Sequence, residues 1–139
     1  MKVDWKNQSG ASAVEFAIVL PILVLLVFGI IEFSVALYDK AMITNASREG
    51  ARAGIVFSLF TDEERTDEIT KVVIRYLGNN LITFGGPATF TTTVTRNGPN
   101  GDELKVTVNY TYTFLLIPNF ITSLSGGINM VAETIMRME

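Results

Sequence analysis

Between Glu15 and Glu32 the chain carries no charged residue, and everything from about Ala11 to Tyr38 is compatible with one helix. An apolar run of this length limits the fold more than any other feature, because it is long enough to cross a bilayer. At ~1.5 Å per residue, the rise from Glu15 to Glu32 is roughly 25 Å, a little under the ~30 Å hydrocarbon thickness. Each carboxylate can then sit near an opposite interface, which matters because a charge at the bilayer centre costs at least ~2.5 kcal/mol. Pro21 lies inside the run and is expected to bend the helix, since proline lacks a backbone donor.

The segment ahead of the run sharpens the reading of Glu15. Met1 to Gly10 is short and polar, with Lys2 and Lys6 against Asp4, and has the character of a leader. Cleavage between Gly10 and Ala11 would create an ammonium group one turn from Glu15 and Phe16. In a helical assembly the Glu15 carboxylate would meet the ammonium of a neighbouring subunit, so two buried charges lose their cost only when subunits stack in register. Two alternatives stand beside this one. Glu15 can be the interfacial acid of a plain membrane anchor, or the run can be a secretory signal cut at the small-x-small pattern Ser34, Val35, Ala36. Against the signal stand the length of the run, the acid at each end and the helical continuation that cleavage would sever. Orientation is open by charge alone, because Lys2 and Lys6 on one side face Lys40, Arg48 and Arg52 on the other.

Composition excludes several kinds of chemistry. The 139 residues contain no histidine and no cysteine, which removes imidazole bases, thiol nucleophiles and the usual zinc ligands together. A formal charge of -3 with no basic run argues against nucleic acid as a partner. No nucleophile, base and stabiliser occur at recognisable spacing, and isolated acids such as Asp102 and Glu133 do not make a site. No enzyme, cofactor or metal is expected.

Beyond Tyr38 the helical pattern continues to about residue 58, through Ala41, Met42, Ala46, Arg48, Glu49, Ala51 and Arg52. Ala46, Gly50 and Gly54 recur every four residues and form a smooth strip where a second backbone can approach. Packing against the chain's own domain is favoured over a partner helix, because an exposed helix with two glycines would be costly. Glu49 and Arg52 are three apart and can pair. Thr61 then opens a second helix as a capping box with Glu64, and Asp62 and Glu63 suit the positive end of the helix dipole. Ile69, Val72, Val73, Tyr76 and Leu77 give that helix one apolar face, and Gly78, Asn79 and Asn80 end it. The acids Asp62, Glu63, Glu64, Asp67 and Glu68 lack the ligand alternation and central glycine of a calcium loop. They read as a solvated helix start.

After Gly85, Gly86 and Pro87 the period changes to two. Leu104, Val106, Val108, Tyr110, Tyr112 and Phe114 alternate with polar residues and describe a half-buried strand. Ala88 to Arg96 pairs with it through the turn-rich residues Asn97 to Asp102. Ile128 to Arg137 is a third strand, reached by a loop with Pro118, Gly126 and Gly127. The threonines of the outer face are read as strand formers rather than a ligand surface. The parse is therefore a leader (1–10), a transmembrane part of helix 1 (11–38), its continuation beyond the membrane (39–58) and an α+β domain (59–139) on the same side. That domain holds one helix and an antiparallel sheet of three or four strands.

Three stretches together carry a resemblance. Gly10-Ala-Ser-Ala-Val-Glu-Phe-Ala-Ile-Val-Leu-Pro, Gly29-Ile-Ile-Glu-Phe and Asn45-Ala-Ser-Arg-Glu-Gly-Ala-Arg-Ala closely resemble the TadE-like minor pilins, or pseudopilins, of bacterial tight-adherence (Tad/Flp, type IVc pilus) systems. The likeness covers about residues 10 to 53, with Arg48, Glu49 and Arg52 in the family motif. It implies a pilin-like α+β fold, recognition by a prepilin peptidase that cuts after Gly10, and Glu15 as the assembly carboxylate. The implied partners are other pilin subunits and minor pilins, the lipid bilayer, and an inner-membrane platform driven by a cytoplasmic ATPase. The implied location is the inner membrane, single-pass, with the C-terminal domain outside the cytoplasm, then the extracellular pilus used for attachment. A soluble domain of about 80 residues favours a minor or tip role. The alternative function is a single-pass anchored module that presents its sheet to a periplasmic partner.

Overall fold

The computed structural model describes residues 6–56, 61–78, 80–83, 88–98, 101–114 and 127–138. The first five residues of the expected leader lie outside them, as do residues 57–58 of the expected helix continuation. So do Asn79, Gly85, Gly86, Pro87, Pro99, Asn100, Pro118 and Gly126.

Two helices precede three strands: α1 (Lys6–Val56), α2 (Asp62–Gly78), β1 (Phe90–Asn97), β2 (Glu103–Tyr112) and β3 (Ile128–Arg137). Helix α1 runs for 51 residues and passes through Pro21. It begins at Lys6, inside the expected leader, so residues 10 and 11 lie within a helix. Helix α2 opens as the capping box demands. The Thr61 amide donates to Glu64 Oε2 at 3.0 Å, and the Glu64 amide returns to Thr61 Oγ1 at 3.4 Å.

The strands form one antiparallel sheet in the order β1-β2-β3. Register pairs Val94 with Val106 and Asn97 with Glu103 across the first hairpin, and Val108 with Ala132 and Tyr112 with Ile128 across the second. The β1–β2 turn uses Gly98 at φ 94° and Gly101 at φ 69°, conformations that a side chain would strain. Alternation along β2 sends Leu104, Val106, Val108, Tyr110 and Tyr112 to one face, all buried. The helices cover that face. Ile43, Ala46 and Ala51 of α1, Ile69, Val73 and Leu77 of α2, and Met130 and Ala132 of β3 complete a single apolar cluster. The fold is thus α+β, with a helical shaft leaving one end of a small domain.

Candidate membrane and assembly surface

From Gly10 to Ile31 nothing in the described chain covers α1. The large apolar side chains of this stretch are exposed, Phe16 among them at 63%. About 22 residues at 1.5 Å give a bare shaft of roughly 33 Å, close to the hydrocarbon thickness of a bilayer. This is a candidate membrane span by length and composition. Gly10, Ala11, Glu15, Phe16 and Pro21 all lie on it, exposed. A methyl group added at Gly10 would meet no atom within 4 Å. These positions therefore take no part in the packing of the domain.

Glu32 is the first buried residue along the shaft, at 2% exposure, so its carboxylate turns into the domain. Its Oε1 accepts a hydrogen bond of 2.5 Å from the hydroxyl of Tyr112, at the end of β2. Seven residues on, two helical turns, Asp39 occupies the same face. Its Oδ1 accepts from the Ile82 amide at 3.0 Å, and its Oδ2 from the Tyr110 hydroxyl at 3.3 Å. Burial pushes the Asp39 carboxyl above its ordinary value, with the two donors pulling the other way. Tyr110 is pushed up to about 12, first by burial and then by the neighbouring Asp39 charge. Burial likewise raises Tyr112, and the bond to Glu32 adds to it. Because Glu32 meets Tyr112 and Asp39 meets Tyr110, β2 descends along α1 toward the shaft. Beside them Lys40 Nζ donates to the Val131 carbonyl of β3, and Ser47 shares a 2.8 Å hydrogen bond with Thr134. The sheet therefore covers one face of residues 32–38, within the stretch expected to be transmembrane.

Sequence reasoning missed this seat. The usable signal was Tyr110 and Tyr112 on the apolar face of a strand, since a buried phenol needs a hydrogen-bond partner. Glu32 and Asp39, spaced for one helix face, were the acceptors available.

Farther along α1 the small-residue strip meets α2 and β2. A β-carbon at Gly50 would lie 2.9 Å from Val73 Cγ2, and one at Gly54 would lie 2.5 Å from Leu104 Cδ2 and 2.6 Å from Ile69 Cδ1. Ala46 is fully buried in the same cluster. The strip is thus occupied within the chain itself. Arg48 and Arg52 point outward, and Arg52 Nη2 pairs with Glu49 Oε1 at 2.6 Å.

Several acids elsewhere are engaged in ion pairs or caps. Asp102 pairs with Arg137 at 3.0 Å, Glu133 with Lys105 at 2.8 Å, Asp62 with Arg96 at 2.6 Å and Glu68 with Lys71 at 2.6 Å. Among the described residues no group of three or more acids could hold a metal ion.

A bare apolar helix emerging from a small α+β domain is a candidate membrane anchor. Residues 10–52 match the family model described as TadE-like protein, so the likeness lies in the N-terminal helix. The match spans the shaft, the Glu32–Asp39 seat and the strip to Arg52, and stops before α2 and the sheet. No curated protein and no solved structure matches the chain.

Proposed function

We propose that this chain is a pilin-like structural subunit of a tight-adherence pilus, stored in the inner membrane and cut by a prepilin peptidase between Gly10 and Ala11. The observation that carries the reading is the TadE-like segment itself: a roughly 33 Å uncovered helix with a glycine junction and Glu15 at its start. A helix of this kind has two suitable surroundings, lipid before assembly and neighbouring helices after it. Cleavage would place the Ala11 ammonium one turn from Glu15, and pairing across protomers would set the axial stagger of the filament. The domain, outside the core, would display its sheet. Other pilins, the peptidase and the ATPase-driven platform are the partners of this reading, with minor or tip incorporation as the role. The chain acts by assembly rather than catalysis.

Mass analysis of the membrane-associated protein tests the first step. A mature chain beginning at Ala11 is expected, and Gly10→Val should accumulate uncut without loss of fold, since the glycine touches nothing. An intact Met1 in a strain with active peptidase would instead fit a permanently anchored binding module.

A further inference from the structure

We infer that the end of the sheet beside Glu32 is a second membrane contact, resting on the outer interface of the bilayer that α1 crosses. The inference depends on the reading of residues 10–31 as the span.

Geometry sets the level. A bare shaft of about 22 residues fills the hydrocarbon layer and leaves Glu32 at its edge. The Tyr112 hydroxyl on Glu32 ties the end of β2 to that edge, and the Tyr112–Ile128 pairing brings the start of β3 there too. The strand end cannot then be remote from lipid.

Chemistry matches the position. Ile128 is 44% exposed, and on the outer side of α1 Phe33 and Leu37 are exposed as well. Phe114, half-buried, meets the Tyr112 ring edge-on at 5.9 Å. No charged residue occurs in the sequence between Lys105 and Glu133. The nearest acids, Glu32 at this level and Asp39 two helical turns farther on, are buried, and Lys40 is held by the Val131 carbonyl. The opposite end of the sheet is built differently. There Arg96, Asp102, Glu103 and Arg137 cluster at the β1–β2 turn and the end of β3. One end of the sheet suits water and the other suits the headgroup boundary, where aromatic and apolar side chains concentrate. Lipid is the occupant because the shaft delivers this edge to the bilayer with no partner required.

The test uses the full chain with Trp5→Phe, which removes its single tryptophan. It is reconstituted in phosphatidylethanolamine–phosphatidylglycerol vesicles carrying a nitroxide either near the headgroup or at the acyl-chain end. Reporters are Ile128→Trp and Asn129→Trp at the strand end, Ile135→Trp about 23 Å farther along β3, and Leu23→Trp in the shaft. The strand-end reporters should emit to the blue and lose intensity to the shallow nitroxide, Ile135→Trp should do neither, and Leu23→Trp should lose intensity to the deep one. If both strand-end reporters behave like Ile135→Trp while Leu23→Trp is quenched, the second contact is overturned and the span stands. If Leu23→Trp is quenched by neither label, the span fails and the inference with it. Quenching of Ile135→Trp equal to that of Ile128→Trp also overturns the proposal, since contact would not be confined to one end.

Discussion

The hydroxyl of Tyr112 donates to Oε1 of Glu32 across 2.5 Å, joining the last residue of β2 to the point where the helical shaft leaves the domain. Both side chains are buried, at 1% and 2% exposure. A hydrogen bond to a carboxylate is worth about 1.5–3 kcal/mol, and Tyr112→Phe should destabilise the domain by that amount. Hydrogen exchange in detergent micelles should show the loss concentrated at the end of β2 and at α1 near Glu32. An unfolding midpoint unchanged from the parent would contradict the role of this contact.

Asp39 gives a pH signature. Its native pKa lies above the model-compound value of 3.8 because burial outweighs its two donors. Between those two values the native state binds more protons than the unfolded chain, so this group's contribution to stability falls as pH rises through the window. Above it the contribution is constant. Asp39→Asn should remove that slope while keeping an acceptor for the Ile82 amide. Glu49 and Glu64 are lowered in the native state and act with the opposite sign, so the informative quantity is the difference between parent and variant. Parallel curves of denaturation midpoint from pH 3.5 to 7 would refute the assignment.

Gly54 sits where two side chains close over α1. A methyl group there would come within 2.5 Å of Leu104 and 2.6 Å of Ile69. Overpacking costs about 1–3 kcal/mol, partly offset for alanine by a helix propensity about 1 kcal/mol better than glycine. Gly54→Ala should therefore lose about 1 kcal/mol, and Gly54→Leu about 3 kcal/mol. Thermal melts of the two variants check the order; equal stability of Gly54→Leu and parent would mean that the strip is not filled from within.

Glu15 is exposed on the shaft and contributes no contact to the domain. Glu15→Ala should leave insertion and domain stability unchanged while reducing incorporation into pili. Normal piliation by the variant would remove the assembly role of the carboxylate.

The period-two alternation of β2 and the Thr61–Glu64 box read directly from the sequence because each is a local pattern. Buried residues match the alternating positions from Leu104 to Tyr112, and the third strand spans Ile128 to Arg137 as its pattern indicates. Ala46, Gly50 and Gly54 were legible for a similar reason, since four-residue spacing puts small residues on one helix face. What filled the strip, Ile69, Val73 and Leu104, comes from two other elements.

Glu32 marks where local reading stops. Its neighbours in sequence are apolar, so one-dimensional reasoning places it near a membrane boundary and names no partner for it. Its neighbour in space is Tyr112, eighty residues later. The sequence alone determined that a long apolar helix must leave a small α+β domain, because length, charge spacing and periodicity are properties of contiguous residues. Only the tertiary structure decided where that domain grips the helix, because burying a carboxylate depends on donors that folding brings from a distant strand.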